Sequence, residues 1–277
     1  MGFPAARQRV YNPRMRIATW NINSVRIRLP LLKKFIDQHQ PDILCLQETK
    51  VEDSLFPLEA IKALGFPHVI FTGQKGYNGV AIFSKQPLVP LGAMGMAGKD
   101  DKRHIGVRLP GGVALHNFYV PAGGDIPDPE ANPSFAHKLQ FVEHMTQWAS
   151  EPQQKNDKII ILGDFNIAPQ EHDVWSHKQL LKVVSHTPPE LARMAALQKT
   201  LNWNDVGRHF VPADQKLYSW WSYRNRDWKK SNRGRRLDHI WVTPQLTPAL
   251  KNYQVVPDAR DWESPSDHVP VLMDIAL

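Results

Sequence analysis

Short apolar runs, each the length of one strand, recur from end to end of this chain, and amphipathic stretches lie between some of them. Strand-type segments read at 15–20 (MRIATW), 43–48 (ILCLQE), 68–73, 79–85 (GVAIFSK), 105–110, 112–120, 158–164 (KIIILGD), 237–243 and 269–277. Helical spacing puts Leu29, Leu32 and Ile36 on one face of 29–40, and aligns Phe135, Leu139, Val142 and Met145 in 134–150. The stretch 56–65 ends at Gly65 in a C′-like position, and 188–202 opens on proline. Strands mixed with crossover helices predict α/β layers. No linker or internal repeat divides the chain, so residues 15–277 are expected to form a single domain. The Pro- and Gly-rich segment 120–133 reads as a long surface loop.

The strand-type runs end in polar residues. In KIIILGDFNIAP (158–169), four apolar residues stop at Gly163 and are followed by Asp164, Phe165 and Asn166. Residues two apart on an extended chain point the same way, so Asp164 and Asn166 reach one small volume while Phe165 returns to the core. A carboxylate beside an amide suits the handling of one water or one phosphate oxygen. A plain turn uses the same residues. The pattern repeats, however: Asn21 and Asn23 end the first run, Glu48 the second, Tyr119 leaves another, Asp238 opens one, and Asp267 and His268 precede the last. Each has a structural reading alone: helix cap, solvated acid, core aromatic, turn residue or satisfied histidine. Together they form a set at strand ends, where α/β sheets build sites.

The net charge of +7 suggests a polyanionic partner. The single cysteine, Cys45, excludes a disulfide framework within the chain, reads as a small core residue and points to a reducing, cytoplasmic location. No apolar run reaches the length of a membrane span. The first 14 residues, MGFPAARQRVYNPR, carry three arginines and no hydrophobic core of a signal peptide; they read as an N-terminal extension, either a loose arm or an upstream start.

The ordered motifs TWNINSVR, PDILCLQETK, GYNGVAIFSK, GDFNIAP, SWWSYR, GRRLDHI and SDHVPV resemble those of the exonuclease III type apurinic/apyrimidinic endonucleases, within the wider endonuclease–exonuclease–phosphatase superfamily. The resemblance runs from Met15 to Leu277. It implies a four-layer α/β sandwich of two mixed β-sheets flanked by helices, and hydrolysis of DNA phosphodiesters dependent on Mg²⁺, with Mn²⁺ as a substitute. It further implies a monomer acting on double-stranded DNA with abasic sites or 3′ ends, as exonuclease, endonuclease or 3′-phosphatase in DNA repair. By the same resemblance Glu48 is the principal metal ligand, with Asn21 near it and Asp267 a further carboxylate. Asp164 orients or deprotonates the attacking water and Asn166 helps to hold it. Asp238 and His268 form a carboxylate–imidazole pair, with His268 as the base in a competing scheme. Tyr119 binds phosphate, and Trp220 lies near the abasic sugar. Such residue types suit phosphodiester hydrolysis, in which charge on phosphate oxygens must be neutralised, hydroxide generated and the leaving oxygen stabilised.

The stretch 216–236 holds eight Lys/Arg against one Asp, with five aromatics. Just ahead of Asp238, it is expected to lay Arg224, Arg233 and Arg235 along DNA phosphates, with stacking against an unpaired position. A solvated loop is the bland alternative. Lys178 is a further expected DNA contact, in a region (170–190) that lacks the Asn- and Gly-bearing run of many relatives. Asp125 and His104 also stand where relatives have arginine. Two other readings share parts of this pattern: a phosphodiesterase of small substrates, and a non-catalytic nucleic-acid-binding module. The first has no need of the basic stretch, and the second would tolerate loss of site residues, none of which is lost.

Overall fold

The computed structural model describes residues 14–151, 154, 157–225 and 227–277. Along the chain the strands are β1 (Arg14–Asn21), β2 (Ile43–Gln47), β3 (His68–Thr72), β4 (Val80–Ser84), β5 (Val89–Gly92), β6 (His104–Arg108) and β7 (Ala114–Tyr119). They continue as β8 (Ile159–Asp164), β9 (Asn204–Asp205), β10 (Trp220–Trp221), β11 (Gly234–Arg235), β12 (Asp238–Val242), β13 (Leu250–Val255) and β14 (Val271–Ala276). The α-helices are α1 (Leu29–His39), α2 (Leu58–Ala63), α3 (Pro133–Ala149), α4 (His177–Leu180), α5 (Pro188–Thr200), α6 (Val206–Phe210) and α7 (Trp228–Ser231).

Two six-stranded sheets form, ordered β13-β14-β1-β2-β4-β3 and β5-β6-β7-β8-β12-β9. Both are mixed: β1 pairs parallel with β2, and β7 parallel with β8, while the remaining pairs are antiparallel. Period-two alternation builds the layers. Ile17, Ile43, Cys45 and Ile82 of one sheet meet Val107, Leu115, Ile160, Leu162 and Ile240 of the other in an inner core. The opposite face of the first sheet packs Trp20, Leu44 and Phe83 on Leu32, Phe35 and Ile61 of α1 and α2. That of the second packs Phe118, Ile161 and Trp241 on Phe141, Val142, Met145 and Leu197 of α3 and α5. The result is the expected four-layer sandwich.

The expected strands all appear within a residue or two of their ranges. β5 and β13 were not foreseen: β5 is a four-residue Val-Pro-Leu-Gly stretch whose inner proline argues against a strand, and β13 is a largely polar stretch on a sheet edge. The short helices α4, α6 and α7 span too few residues for a periodicity to register. The expected arm at 1–14 lies outside the described residues except for Arg14, which belongs to β1 and pairs with Ala276. No helix among the described residues is long and apolar enough to cross a membrane.

Register decides where the polar strand ends meet. Tyr119 stands opposite Asp164, and Asp164 opposite Asp238, at one end of the central strands of the second sheet. Gly163 makes that close pairing possible: its φ is +134°, and a Cβ there would come within 1.9 Å of the Phe118 carbonyl oxygen. Just below, Gln47 reaches across the sheets to Asn117 at 2.7 Å, and Asn117 in turn donates to the carbonyls of Leu46 and Ala81. These amides bolt the sheets together beneath the site.

Candidate active site

The strand ends open on a cleft of about 560 Å³, lined by Asn21, Glu48, Tyr119, Asp164, Asn166, Asp267 and His268. Asp164 is fully buried at its floor. Its Oδ1 accepts the Asn166 backbone N–H at 2.9 Å; its Oδ2 accepts the side-chain amides of Asn21 at 2.9 Å and Asn166 at 3.0 Å. Asn166 holds its place in a left-handed conformation (φ 53°), which a short amide side chain tolerates better than most. Phe165 points into the core and is fully buried.

His268 links the two carboxylates. Its Nδ1 lies 2.8 Å from Asp238 Oδ2, and its Nε2 lies 3.6 Å from Asp164 Oδ2. Ser219 Oγ donates to Asp238 Oδ2 at 2.6 Å while accepting the backbone N–H groups of Leu237 and Asp238. Burial alone would lower the His268 pKa, but the charges of Asp238 and Asp164 outweigh it and raise the value to about 10. For Asp164, burial dominates and, with the negative charge of Asp238, lifts the carboxyl to about 7 against the opposing pull of His268 and its amide donors. The imidazole is therefore charged at neutral pH and the carboxyl is poised near it. Tyr119 is pushed well up by burial and by the nearby Glu48 and Asp164, so its phenol stays neutral and able to donate. Arg103 donates to the Tyr119 carbonyl and lies over its ring, 4.6 Å from the centroid.

Glu48 lies at the cleft just past β2, with φ 57°. Lys50 Nζ sits 2.8 Å from its Oε1 and 2.7 Å from Asn23 Oδ1, and Asn21 Nδ2 donates to Oε2 at 2.9 Å. The Glu48 carboxylate thus already receives a cation in this arrangement. Asn21 faces it with nitrogen, because its Oδ1 is occupied by the Asn23 N–H at 3.0 Å. Asn21 was expected beside the metal; its geometry is that of a donor bridging Glu48 and Asp164. Asp267 accepts from Asn23 Nδ2 at 3.1 Å and from Trp220 Nε1 at 2.9 Å; although burial works to raise its pKa, the charge of His268 and these donors hold it below the usual carboxylate range. Asp164, Asp238 and His268 also lie close enough together to hold an ion. Here the imidazole itself bridges the two carboxylates, 2.8 Å from Asp238 and 3.6 Å from Asp164.

The basic stretch divides. Trp220, Arg224, Arg233 and Arg235 line the cleft. Arg233 stacks over Trp175 at 4.8 Å. Arg235, expected along DNA phosphates, also has partners within the chain: it donates to Val184 O at 3.0 Å and Ser185 Oγ at 2.8 Å and stacks over Trp220 at 5.1 Å. Lys178 is exposed on α4 and is not part of the cleft lining. Lys50, Arg103 and Ser219 escaped the sequence reading as site residues, and Asn23 was noted at its strand end but given no role.

Residues 18–268 match the model of the Endonuclease/Exonuclease/phosphatase family. The chain is 34% identical to "Exodeoxyribonuclease III" of Haemophilus influenzae over 93% of its own length and 98% of that protein's. An AP endonuclease from Archaeoglobus fulgidus superposes with a TM-score of 0.87 at 30% identity, covering 95% of this chain and 100% of that one. The 3′-5′ exonuclease NExo from Neisseria meningitidis does so with a TM-score of 0.86 at 32% identity and the same coverage. With the family pattern spanning nearly the whole chain and the sandwich and strand-end cleft in register with it, this protein belongs to the endonuclease/exonuclease/phosphatase family.

Proposed function

We propose that this protein is a divalent-metal-dependent DNA phosphodiester hydrolase of DNA repair, acting as a cytoplasmic monomer on duplexes with abasic sites or 3′ ends. The observation that carries the reading is the Asp164–His268–Asp238 cluster at the floor of a cleft whose wall bears three arginines. The names of its relatives support a DNA substrate, and a related structure is that of the 3′ phosphatase NExo bound to a product DNA hairpin.

Glu48 and Asp267 would hold the metal, since both offer hard oxygen donors of the kind Mg²⁺ and Mn²⁺ prefer, and Glu48 already receives the Lys50 ammonium. When bound, the ion supplies charge neutralisation at phosphate oxygens and at the departing 3′ oxygen. The chain's own groups do the rest. Asp164, buried and near neutral pKa, accepts the proton of the attacking water, while Asn166 and Asn21 hold its carboxylate in one orientation. His268 serves as a charged donor to the phosphate, because its raised pKa makes it a poor base; Asp238 and Ser219 fix its ring. Tyr119 adds a neutral donor without adding negative charge. Arg224 and Arg233 extend positive charge along the cleft for flanking phosphates.

The test compares matched duplexes carrying an abasic site, a recessed 3′ end and a 3′ phosphate, together with a phospholipid head-group substrate, with and without Mg²⁺. Metal-dependent cleavage of one or more of the DNAs is expected, and Glu48→Gln should raise the half-saturating Mg²⁺ concentration by roughly tenfold or more. Head-group cleavage alone, or DNA binding with no hydrolysis, would overturn the reading.

A further inference from the structure

Three segments of the cleft rim hang from one buried ion pair. Lys138, on α3, is fully buried, as is its partner Glu190 on α5, and the Nζ–Oε1 distance is 2.5 Å. The ammonium also donates to Asn166 O at 2.8 Å and to Ala122 O at 3.1 Å. Glu190 in turn accepts the backbone N–H groups of Ser185 at 2.9 Å and Thr187 at 3.0 Å, and the Thr187 hydroxyl at 2.7 Å. The loop after β7, the turn after β8 and the loop before α5 therefore share one buried anchor, and all three contribute to the cleft through Ala122, Asn166 and Ser185. Gly123 leaves room for it: φ there is +89°, and a Cβ would meet Lys138 Cδ at 2.8 Å.

Stability alone does not call for this pair, because two buried charges are costly to desolvate and apolar replacements are often as stable. The atoms the ammonium contacts suggest its use. It holds the carbonyl of Asn166, a residue in the left-handed region whose own N–H and side-chain amide hold both oxygens of Asp164. We propose that Lys138 is a positioning residue for the hydrolytic site, acting through the Asn166 peptide to set the orientation of the Asp164 carboxylate, with Glu190 as its counter-ion. The inference rests on the reading of Asp164 as the group that handles water. Small displacements of a reacting group cost rate out of proportion to binding.

The experiment separates the anchor from the pair. Glu190→Gln removes the charge partner but leaves Lys138 able to donate to both carbonyls. It should lower the melting temperature and leave kcat on the cleaved duplex within about threefold. Adding Lys138→Met removes the buried cation as well as its hydrogen bonds. The double variant should melt no lower than Glu190→Gln, yet its kcat should fall roughly 30-fold or more with KM within about twofold. Equal kcat in the two variants would overturn the proposal, as would a KM that rises in step with the loss. Should Met prevent folding, Lys138→Gln in the same background is held to the same split, with a loss of about tenfold or more. If the wild-type chain cleaves no DNA, the functional reading fails by itself. Positioning is then judged from the Asn166 side-chain amide resonances: a shift on replacing Lys138 supports it, and unmoved resonances overturn it.

Discussion

Two buried charge clusters meet the chain within three residues of each other, at Arg236 and Asp238, and they are built on opposite plans. Around Arg236 the charges balance. Its guanidinium donates to Asp173 through Nε at 2.9 Å and Nη2 at 2.8 Å and to Asp205 through Nη1 at 2.8 Å, and Arg208 adds a second cation on Asp173. Burial works against the charged form of Arg236, but the two carboxylates more than offset it and hold its pKa above the ordinary arginine value. Asp205, despite burial, is held below the carboxylate range by Arg236. Around Asp238 the charges do not balance: two carboxylates share one imidazolium, and Asp238 Oδ1 is buried with no partner among the described residues. Asp164 sits near 7, lifted first by its burial and then by the Asp238 charge, against the opposing charge of His268. A network in which two cations match two carboxylates resists titration at physiological pH. One with surplus negative charge keeps a proton within reach, which a general base requires.

Breaking each cluster should therefore do different damage. Asp164→Asn is expected to lower kcat for strand cleavage by roughly a thousandfold or more, with duplex affinity nearly unchanged, as read by a nicking assay and by anisotropy without cleavage. A parallel loss of affinity in a folded variant would sink the assignment. Arg236→Met should do the reverse. It leaves Asp173 and Asp205 short of a partner and should cost about 3–5 kcal/mol in urea unfolding, while the folded fraction retains kcat.

The pH dependence sharpens the contrast. With Asp164 near 7, kcat should fall about tenfold per pH unit below that value. For stability the sign is opposite to that of an ordinary paired acid. The folded carboxyl binds a proton more tightly than the unfolded one, so between about pH 4 and 7 the native state carries more protons and this group's contribution declines as pH rises. Asp164→Asn should hence gain stability relative to wild type across that window, by no more than about 1.4 kcal/mol per pH unit, and the difference should be flat above 7. Asp205 runs the other way: its contribution is present above the unfolded carboxylate value and is lost as pH falls through its depressed one. A stability difference that shrank with rising pH would contradict the Asp164 assignment.

The smallest effect concerns the cleft wall. Arg233→Ala should make the slope of log K against log salt shallower by about 0.9, the release of one counterion, while Arg235→Ala should move it less, because that guanidinium is already engaged by Val184 and Ser185. Equal slope changes would mean that Arg235 leaves its partners to meet DNA.

Much of the architecture and the roster of polar strand ends could be read from the chain itself. A strand's two faces are encoded in neighbouring residues, so the inner and outer layers follow from alternation; Asp164 and Asn166 do meet as their spacing suggests, but through a left-handed turn at Asn166 and not along an extended strand. Tyr119, Asp238 and His268 announce themselves because polar groups interrupt apolar runs. Edge strands such as β13 stayed hidden, since their partners and not their own residues bury them.

What only the tertiary structure decided is which of those groups share atoms, and with what charge. The Asn21 amide turns its nitrogen to Glu48 and Asp164 because a neighbouring N–H takes its oxygen; Arg235 is spent on a loop 50 residues away; Lys138 reads as one helix residue among many until α5 brings Glu190 to it. Hydrogen-bond direction and pKa depend on burial and on partners distant in sequence. Local spacing sets which side chains point together, and long-range packing sets what each must donate, accept or hold.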